Sequence, residues 1–393
     1  MDATSPASRR RSERAWSALE DGIAKMHPAY FAMSMATGIV SIACHLLGLH
    51  DLSNLLFWAS APIYCTLWLA TIARALLHPK DFLADWTSHQ RAPGFFTTVA
   101  ATCVLGVQFA RLGGSPGIGV ALWAFGALLW LACMYAIFIS LHIGEPKPSL
   151  AEGMHSGWLV AVVATQSICV LGARVLPDRF ESRDAVLFSL LAVWLCGGML
   201  YGWMITLIFQ RYLFSRCAPK DLLPPYWINM GALAISTLAG TSLIAASGSS
   251  PLMASLGPFL KGLTIAYWAV ASWWIPLLLG LGAWRHVVRR VGFTYDPLYW
   301  SLVFPIGMYC VCTHRVAETL DLPFLVWASR LFIVAAIIAW MLTLFGLTQR
   351  LMHPILLASR SWRRRWPAME HLASSSHTID GSSLGGPSNG APR

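Results

Sequence analysis

Charged side chains are scarce in this sequence. Asp, Glu, Lys and Arg make up 12% of its 393 residues, whereas hydrophobic residues make up 56%. Because a soluble globular domain carries about 25% charged residues, this scarcity argues against a surface that faces water throughout. The formal net charge of +10 does not point to a nucleic-acid partner. The Lys and Arg residues flank long apolar runs, as they do beside membrane spans.

The sequence also lacks the residue clusters of a metal site or an enzyme. Its nine cysteines are scattered, and Cys310 and Cys312 have neither metal-ligand spacing nor a partner pair. There is no histidine cluster, no pair of intramembrane carboxylates, and no nucleophile with a placed base. Asp81, Asp85 and His89 share helical spacing, but a solvated polar loop explains them better than a metal site does. We therefore expect no cofactor, no metal and no enzymatic activity.

What the sequence does contain is a series of long apolar runs. A helix of about 20 residues spans the hydrocarbon core, and helices are required there because unpaired backbone groups cannot face lipid. The sequence therefore predicts an all-α integral membrane protein with ten transmembrane helices, arranged as five helical hairpins. The predicted spans are 29–49, 54–77, 94–111, 117–141, 157–176, 185–210, 226–247, 255–281, 297–315 and 325–346.

The charges at the two ends predict three regions and an orientation. A basic tail occupies 1–26, the transmembrane domain 27–350, and a largely disordered tail rich in Ser and Gly 351–393. About three-quarters of the 28 Lys and Arg residues fall on the side of the N-terminus. The positive-inside rule then predicts cytoplasmic termini in the plasma or inner membrane. The first run is too long for a cleavable signal peptide.

The odd-numbered spans begin 63 to 71 residues apart, which indicates a repeated two-helix unit. Odd spans carry small and hydroxyl residues, and even spans carry most of the tryptophans. Polar groups are costly in lipid, so we expect the odd helices to form a central ring and the even helices an outer ring. Small and hydroxyl residues are also the usual packing surface between membrane helices, so that alternative stays open.

Hydroxyl and amide groups on the odd spans are the candidates for lining a path through such a ring. The midplane stretches of these spans contain no Asp, Glu, Lys or Arg, so an anion would meet hydrogen-bond donors without a deep charged trap. His314 and Arg315 would form an anion-attracting entrance near Glu318, unless they are interfacial, snorkelling side chains. The pore-lining candidates are Thr37, Gly38, Thr98, Thr102, Thr165, Gln166, Ser236, Thr237 and Ser301.

Three stretches on the first, fifth and ninth spans resemble the tellurite-resistance/dicarboxylate transporter family, which includes plant slow-type anion channels and fungal malate and sulfite transporters. They are 31–43 (FAMSMATGIVSIA), 162–167 (VVATQS) and 300–309 (WSLVFPIGMY). The resemblance covers about residues 27 to 350. It implies five helical hairpins around a pore with the odd helices inside, and usually a homotrimer with one pore per subunit.

The resemblance also implies a gate. In the family a phenylalanine beside a proline on the ninth span closes the pore, and the matching residue here is Phe304, followed by Pro305. Pro305 removes a backbone hydrogen bond and Gly307 removes bulk, so both would help to position the aromatic ring.

Two functions agree with these features, both with small inorganic or carboxylate anions as substrates. The leading hypothesis is a passive or gated anion channel for chloride, nitrate, sulfite or a monocarboxylate. The alternative is a proton-coupled or other secondary transporter for C4-dicarboxylates, sulfite or tellurite-related oxyanions. The absence of a midplane ionisable group favours the channel, but the fold itself does not choose between them.

Overall fold

The computed structural model is a bundle of long helices. It describes residues 17, 20–216, 218–248, 250–292 and 294–375, with side chains as far as Met352 except that of Lys220. Within this part of the chain no β-strand occurs. A short helix, Pro79–Thr87, follows the second long one. The long helices are Ala32–Leu46 (α1), His50–Leu77 (α2), Phe96–Arg111 (α3), Pro116–Ile143 (α4), Val160–Val175 (α5), Arg183–Phe214 (α6), Ile228–Ala246 (α7), Gly257–Ala283 (α8), Trp300–Thr319 (α9) and Val326–Ser375 (α10).

Most of these helices have the length and apolarity of membrane spans. Among the described residues, nine helical segments meet both requirements: those that contain α1 to α8, and Pro323–Met352, which includes the beginning of α10. The all-α membrane fold is thus confirmed. The helix α9 has 20 residues, enough to span the hydrocarbon core, but its C-terminal end carries His314, Arg315 and Glu318, which lower its mean hydropathy. A membrane crossing by α9 therefore stays a prediction.

The two tails predicted from the sequence are only partly described. Most of the basic tail 1–26 and all of 376–393 lie outside the described residues. The helix α10 continues to Ser375, so the first part of the tail 351–393 is helical, and the rest of the tail, for which we predict disorder, lies outside the described residues. About half of the residues in 351–375 are Leu, Ala, Met or Arg, which favour helix. The described chain forms two compact units that divide between Thr343 and Leu344, and the ring of helices belongs to the first.

The helices fall into an inner and an outer set. The odd-numbered helices α1, α3, α5, α7 and α9 each pack against the next, and α9 packs against α1, so the inner ring closes. In α1, α3, α5 and α7 between 72% and 94% of the most apolar stretch is buried, against 17% to 39% in the even-numbered helices. This division matches the one predicted from the alternation of polar and tryptophan-rich spans.

Each inner helix is preceded by a 3₁₀ turn, and in most repeats proline occupies the first positions of that turn. Proline suits these positions because its missing N–H would be unpaired there in any case. In three repeats a side chain caps the turn: His27, His155 and Asp296 each accept the backbone N–H two residues later, at 3.0, 3.1 and 2.7 Å. The turns are Pro28–Phe31, Ala92–Phe95, Ser156–Leu159, Pro224–Trp227 and Pro297–Tyr299.

A buried ion-pair network fixes the chain before α1 to the connection between α2 and α3. The Asp85 carboxylate accepts hydrogen bonds from Arg74 Nη1 and Arg91 Nε, both at 2.6 Å. The two guanidinium groups also donate to the carbonyls of Ala24 (3.1 Å) and Met26 (2.8 Å). Asp85 is buried, so our expectation of a solvated loop was wrong at this residue.

Candidate permeation path

The inner helices enclose a cavity of about 80 Å³ at their C-terminal ends. Each helix lines it with a triad of residues at spacing i, i+3 and i+7, so one helical face recurs five times, and α3 also contributes Cys103. These triads are Ile39, Ile42 and Leu46; Val104, Val107 and Arg111; Ser167, Val170 and Arg174; Ile235, Leu238 and Ser242; and Met308, Val311 and Arg315. We call this space the arginine cavity.

The arginine cavity combines an apolar wall with a basic rim. Arg111, Arg174 and Arg315 occupy the last position of their triads. Arg315 Nη1 lies 2.5 Å from Glu318 Oε2, and His314 Nε2 lies 3.2 Å from the same carboxylate. Within the described residues, Arg111 and Arg174 form no ion pair. Two guanidinium groups outside any ion pair therefore lie where the carbonyl ends of α3 and α5 would otherwise repel an anion.

A wider cavity of about 480 Å³ lies at the N-terminal ends of the same helices. Its polar lining includes His27, His155, Arg91 and Arg211, with Asp221 and Glu152. The 3₁₀ turns also line it, through residues at equivalent positions in the five repeats. Those residues are Ala29, Gly94, Gly157, Pro225 and Leu298. We call this space the histidine cavity.

Two of the histidines at this cavity are held neutral. Burial, together with the neighbouring Arg91 guanidinium, lowers the pKa of His27 to about 4. Burial likewise lowers the pKa of His155 to about 4, against a hydrogen bond to the His89 carbonyl that favours the charged form. Both imidazoles accept a backbone N–H on Nδ1, which requires that nitrogen to be unprotonated. The charged side chains at this cavity are therefore Arg91, which is paired with Asp85, and Arg211, together with the carboxylates of Asp221 and Glu152.

One layer of residues lies between the two cavities. On α9, Ser301 lines the histidine cavity and Met308 the arginine cavity. Phe304 lies three residues after the first and four before the second, so helical geometry places it on the same face. It is buried, with 3% of its surface exposed. On each of the other inner helices, the residue four positions before the first member of the triad lies at the same level. These residues complete what we call the middle layer: Met35, Ala100, Val163 and Gly231.

Close contacts between inner helices agree with this assignment, because residues at nearly the same level on neighbouring helices lie side by side. A Cβ atom added at Gly231 would lie 2.7 Å from Pro305 Cγ, and one added at Gly307 would lie 2.9 Å from Ile39 Cγ2. The helix α9 is thus fitted closely between α7 and α1 on both sides of Phe304. Pro305 lies inside α9, where its ring occupies the space that the missing side chain of Gly231 leaves. Gly307 gives room to α1.

Three predicted pore-lining threonines point toward the outer ring instead. Thr37, Thr102 and Thr165 occupy equivalent positions in the first three repeats. Each donates to the carbonyl four residues earlier, at 2.7 to 2.8 Å. Each also has an aromatic hydrogen-bond partner on an outer helix: Trp340 Nε1 at 3.1 Å, Tyr64 Oη at 2.7 Å and Trp130 Nε1 at 2.9 Å, respectively. Their role as pore lining is therefore corrected, since these hydroxyls hold the two rings together.

Most of the other candidates are also used in packing. Gly38 faces Val104, whose Cγ1 would lie 2.5 Å from an added Cβ. A hydroxyl in an apolar bundle donates to a nearby backbone carbonyl. The lining of the arginine cavity is mostly apolar, with Ser167 and Ser242 as its hydroxyl residues. Ser301 alone among the nine candidates lines either cavity. The remaining donors bond as follows: Thr98 to Phe95 O, Gln166 to Trp194 O, Ser236 to Ala232 O and Thr237 to Leu233 O.

The entrance candidates have separate positions. Arg315 lines the arginine cavity as predicted, whereas His314 is not among the residues that line it. Arg111 and Arg174 lie near the C-terminal ends of α3 and α5, and the sequence analysis did not assign them to this entrance. Their separation of 63 residues, which equals the interval between the third and fifth spans, was the signal that they share a position.

Comparison with known proteins identifies the family. Residues 25–348 match a family described as voltage-dependent anion channels. An uncharacterised transporter of Methanocaldococcus jannaschii is 23% identical over 306 residues, covering 76% of this chain and 86% of that protein. A sulfite efflux pump of Trichophyton rubrum is 24% identical over 350 residues, covering 83% of this chain and 90% of that protein. An uncharacterised membrane protein of Mycobacterium tuberculosis is 33% identical over 156 residues, 40% of this chain and 79% of its own length. The chain, whose ring of helices lies almost entirely within the matched residues, belongs to the voltage-dependent anion channel family.

Proposed function

We propose that the protein passes small anions along the axis of its inner ring, and that Phe304 closes this path. The observation that carries the proposal is the position of Phe304 on the α9 face that lines both cavities, between Ser301 and Met308. The aromatic ring is the bulkiest side chain of the middle layer, so it obstructs the axis by size.

Side-chain charge at the arginine cavity and helix N-termini at the histidine cavity favour anions over cations. Arg111, Arg174 and Arg315 surround the narrow cavity, and a cleft lined by one sign of charge raises the local concentration of the opposite ion. At the histidine cavity the five parallel inner helices present their N-termini, each of which carries a partial positive charge. An anion is thus attracted at both ends of the path.

The wall between these ends is suited to passage rather than storage. Most residues of the arginine cavity are apolar, including Ile39, Val107 and Ile235. Such a wall offers an ion no fixed partner, and weak binding allows rapid exit. These features support a channel. A secondary transporter is the second candidate, supported by the similarity to a sulfite efflux pump, and sulfite is accordingly the first oxyanion to assay.

The test is anion flux in proteoliposomes containing the purified protein. Phe304→Ala is expected to raise the flux of chloride, nitrate and sulfite by about an order of magnitude, because a hydrophobic constriction is removed. Phe96→Ala is the matched control, since Phe96 is equally buried but packs beside Phe138. A Phe304→Ala protein that is folded and monodisperse, yet conducts no more than wild type, would contradict the gate. Flux that requires a proton gradient would favour the transporter.

Orientation and assembly complete the proposal. The charge bias favours cytoplasmic termini in the plasma or inner membrane, and the family resemblance favours a homotrimer in which each subunit has its own path. An impermeant thiol reagent should label a cysteine placed at Asp178 in intact cells and leave one placed at Lys147 unlabelled. Light scattering of the detergent-solubilised protein measures the number of subunits.

A further inference from the structure

We propose that Met35 is a second occluding side chain, which closes the path together with Phe304. The inference rests on the proposed function, since it concerns the same path. It adds a residue on a different helix, α1, so that two side chains from neighbouring inner helices narrow the path at the same level.

Met35 occupies the position in α1 that Phe304 occupies in α9. It precedes Ile39 by four residues, as Phe304 precedes Met308, and both Ile39 and Met308 line the arginine cavity. Helical geometry therefore places the Met35 side chain on the face of α1 that is directed toward the axis of the inner ring. Met35 is 3% exposed, the same fraction as Phe304, so it is enclosed at this level and does not face lipid.

The two side chains lie at the same depth on adjacent helices. The helices α1 and α9 run in the same direction and pack against each other. Gly307 of α9 lies against Ile39 of α1, where an added Cβ would come within 2.9 Å of Ile39 Cγ2. Phe304 lies three residues before Gly307, and Met35 lies four residues before Ile39. Since a helix rises 1.5 Å per residue, Phe304 and Met35 differ by only about 1.5 Å in position along the ring axis.

The other members of the middle layer are too short to share in the closure. Ala100 and Val163 have small side chains, and Gly231 has none because Pro305 occupies the space beside it. Methionine is long, unbranched and flexible, so it fills irregular gaps and can follow a neighbour that moves or shrinks. Removal of the Phe304 ring alone would therefore leave a path that Met35 still narrows.

Anion flux in proteoliposomes, measured for single and double variants, tests this inference. Met35→Ala combined with Phe304→Ala is expected to conduct about threefold more than Phe304→Ala, whereas Met35→Ala alone stays close to wild type because the ring still blocks the axis. Met230→Ala in the Phe304→Ala background is the matched control, since Met230 is also a buried methionine of an inner helix but lines neither cavity, and it should leave flux unchanged. Equal flux with and without Met35→Ala, or an equal gain from Met230→Ala, would overturn the role of Met35.

A compensating variant tests the inference by adding a large side chain to the middle layer rather than removing one. Met35→Phe combined with Phe304→Ala moves the ring from α9 to α1 at the same depth, and it should return the flux toward the wild-type value. Flux that stays at the Phe304→Ala level in a folded protein would count against Met35. If Phe304→Ala conducts and the Met35 variants change nothing, only this inference fails. If neither Phe304→Ala nor the double variant conducts, the proposed path fails with it.

Discussion

The two ends of the inner ring are built from the same five helices and have opposite chemistry. The arginine cavity is narrow, about 80 Å³, and apolar apart from its arginine rim and two serines. The histidine cavity is about 480 Å³ and is lined by histidine, arginine, acidic and hydroxyl side chains. Because the inner helices are parallel, their unpaired carbonyl groups all lie at the arginine cavity and their unpaired N–H groups all lie at the histidine cavity. At the arginine cavity, side-chain charge is needed to attract an anion, whereas at the histidine cavity the backbone N–H groups supply partial positive charge.

The largest expected effect concerns the structure around the histidine cavity. Asp85→Asn leaves the buried Arg74 guanidinium without a charged partner, so we expect a loss of about 3–5 kcal/mol in the free energy of unfolding. A melting curve in detergent measures it. Asp81→Asn is the control, since Asp81 is exposed on the same short helix. Similar melting temperatures for the two variants would show that the Asp85 network does not stabilise this end.

The second-largest expected effect is on anion flux through the arginine cavity. Replacing both Arg111 and Arg174 with Gln in the Phe304→Ala background should lower anion flux about tenfold at low salt, because charge no longer concentrates the ion at the narrow end. The difference should shrink at high ionic strength. Arg179→Gln is the control, since Arg179 is exposed and is not among the residues that line the cavity. A salt-independent loss would point to a structural role instead.

A smaller effect is expected from the carboxylate beside the third arginine. Glu318→Gln leaves Arg315 uncompensated, so anion flux in the Phe304→Ala background should rise about twofold, in line with the small free energy of a partly exposed ion pair. Glu181→Gln changes the same charge at an exposed position and should have no effect. Lower flux in Glu318→Gln would mean that the carboxylate mainly positions Arg315.

A separate effect, on stability rather than transport, is the pH dependence expected at the histidine cavity. His27 and His155 have a pKa of about 4 in the folded protein and 6.5 as the ordinary value. Between these values the unfolded chain binds more protons, so the free energy of unfolding falls as the pH is lowered from 6.5 toward 4. The melting temperature should therefore fall between pH 7 and pH 5. His27→Asn with His155→Asn keeps the capping acceptors but does not titrate, so its decrease should be smaller. The exposed His142→Asn is the control.

The repeat and its consequences could be predicted from the sequence, but the directions of side chains could not. The alternation of polar and tryptophan-rich spans gave the two sets of helices, and the regular prolines gave their starts. The hydroxyls of Thr37, Thr102 and Thr165 were assigned to the path because polar groups avoid lipid. They avoid it equally well by pairing with aromatic donors on the outer ring, and a sequence pattern does not distinguish these directions.

Long-range partners were the other feature that the sequence left open. Asp85 was expected to be solvated because its neighbours in the chain are polar, yet the two arginines that surround it lie 11 residues before and 6 residues after it. Met35 was not singled out because a methionine among apolar residues carries no signal until the helical face is known. Phe304 could be named from the family motif, and its level between the cavities followed only from the structure.

The central claim, that the size of one side chain sets passage between the two cavities, is tested most directly by single-channel conductance in planar bilayers for a Phe304 series. The protein with Ala at this position should conduct most, Val and Leu progressively less, and Tyr no more than wild type. All variants should keep the same preference for anions, because the arginine rim is unchanged. Conductance that is independent of side-chain size across folded variants would contradict the account.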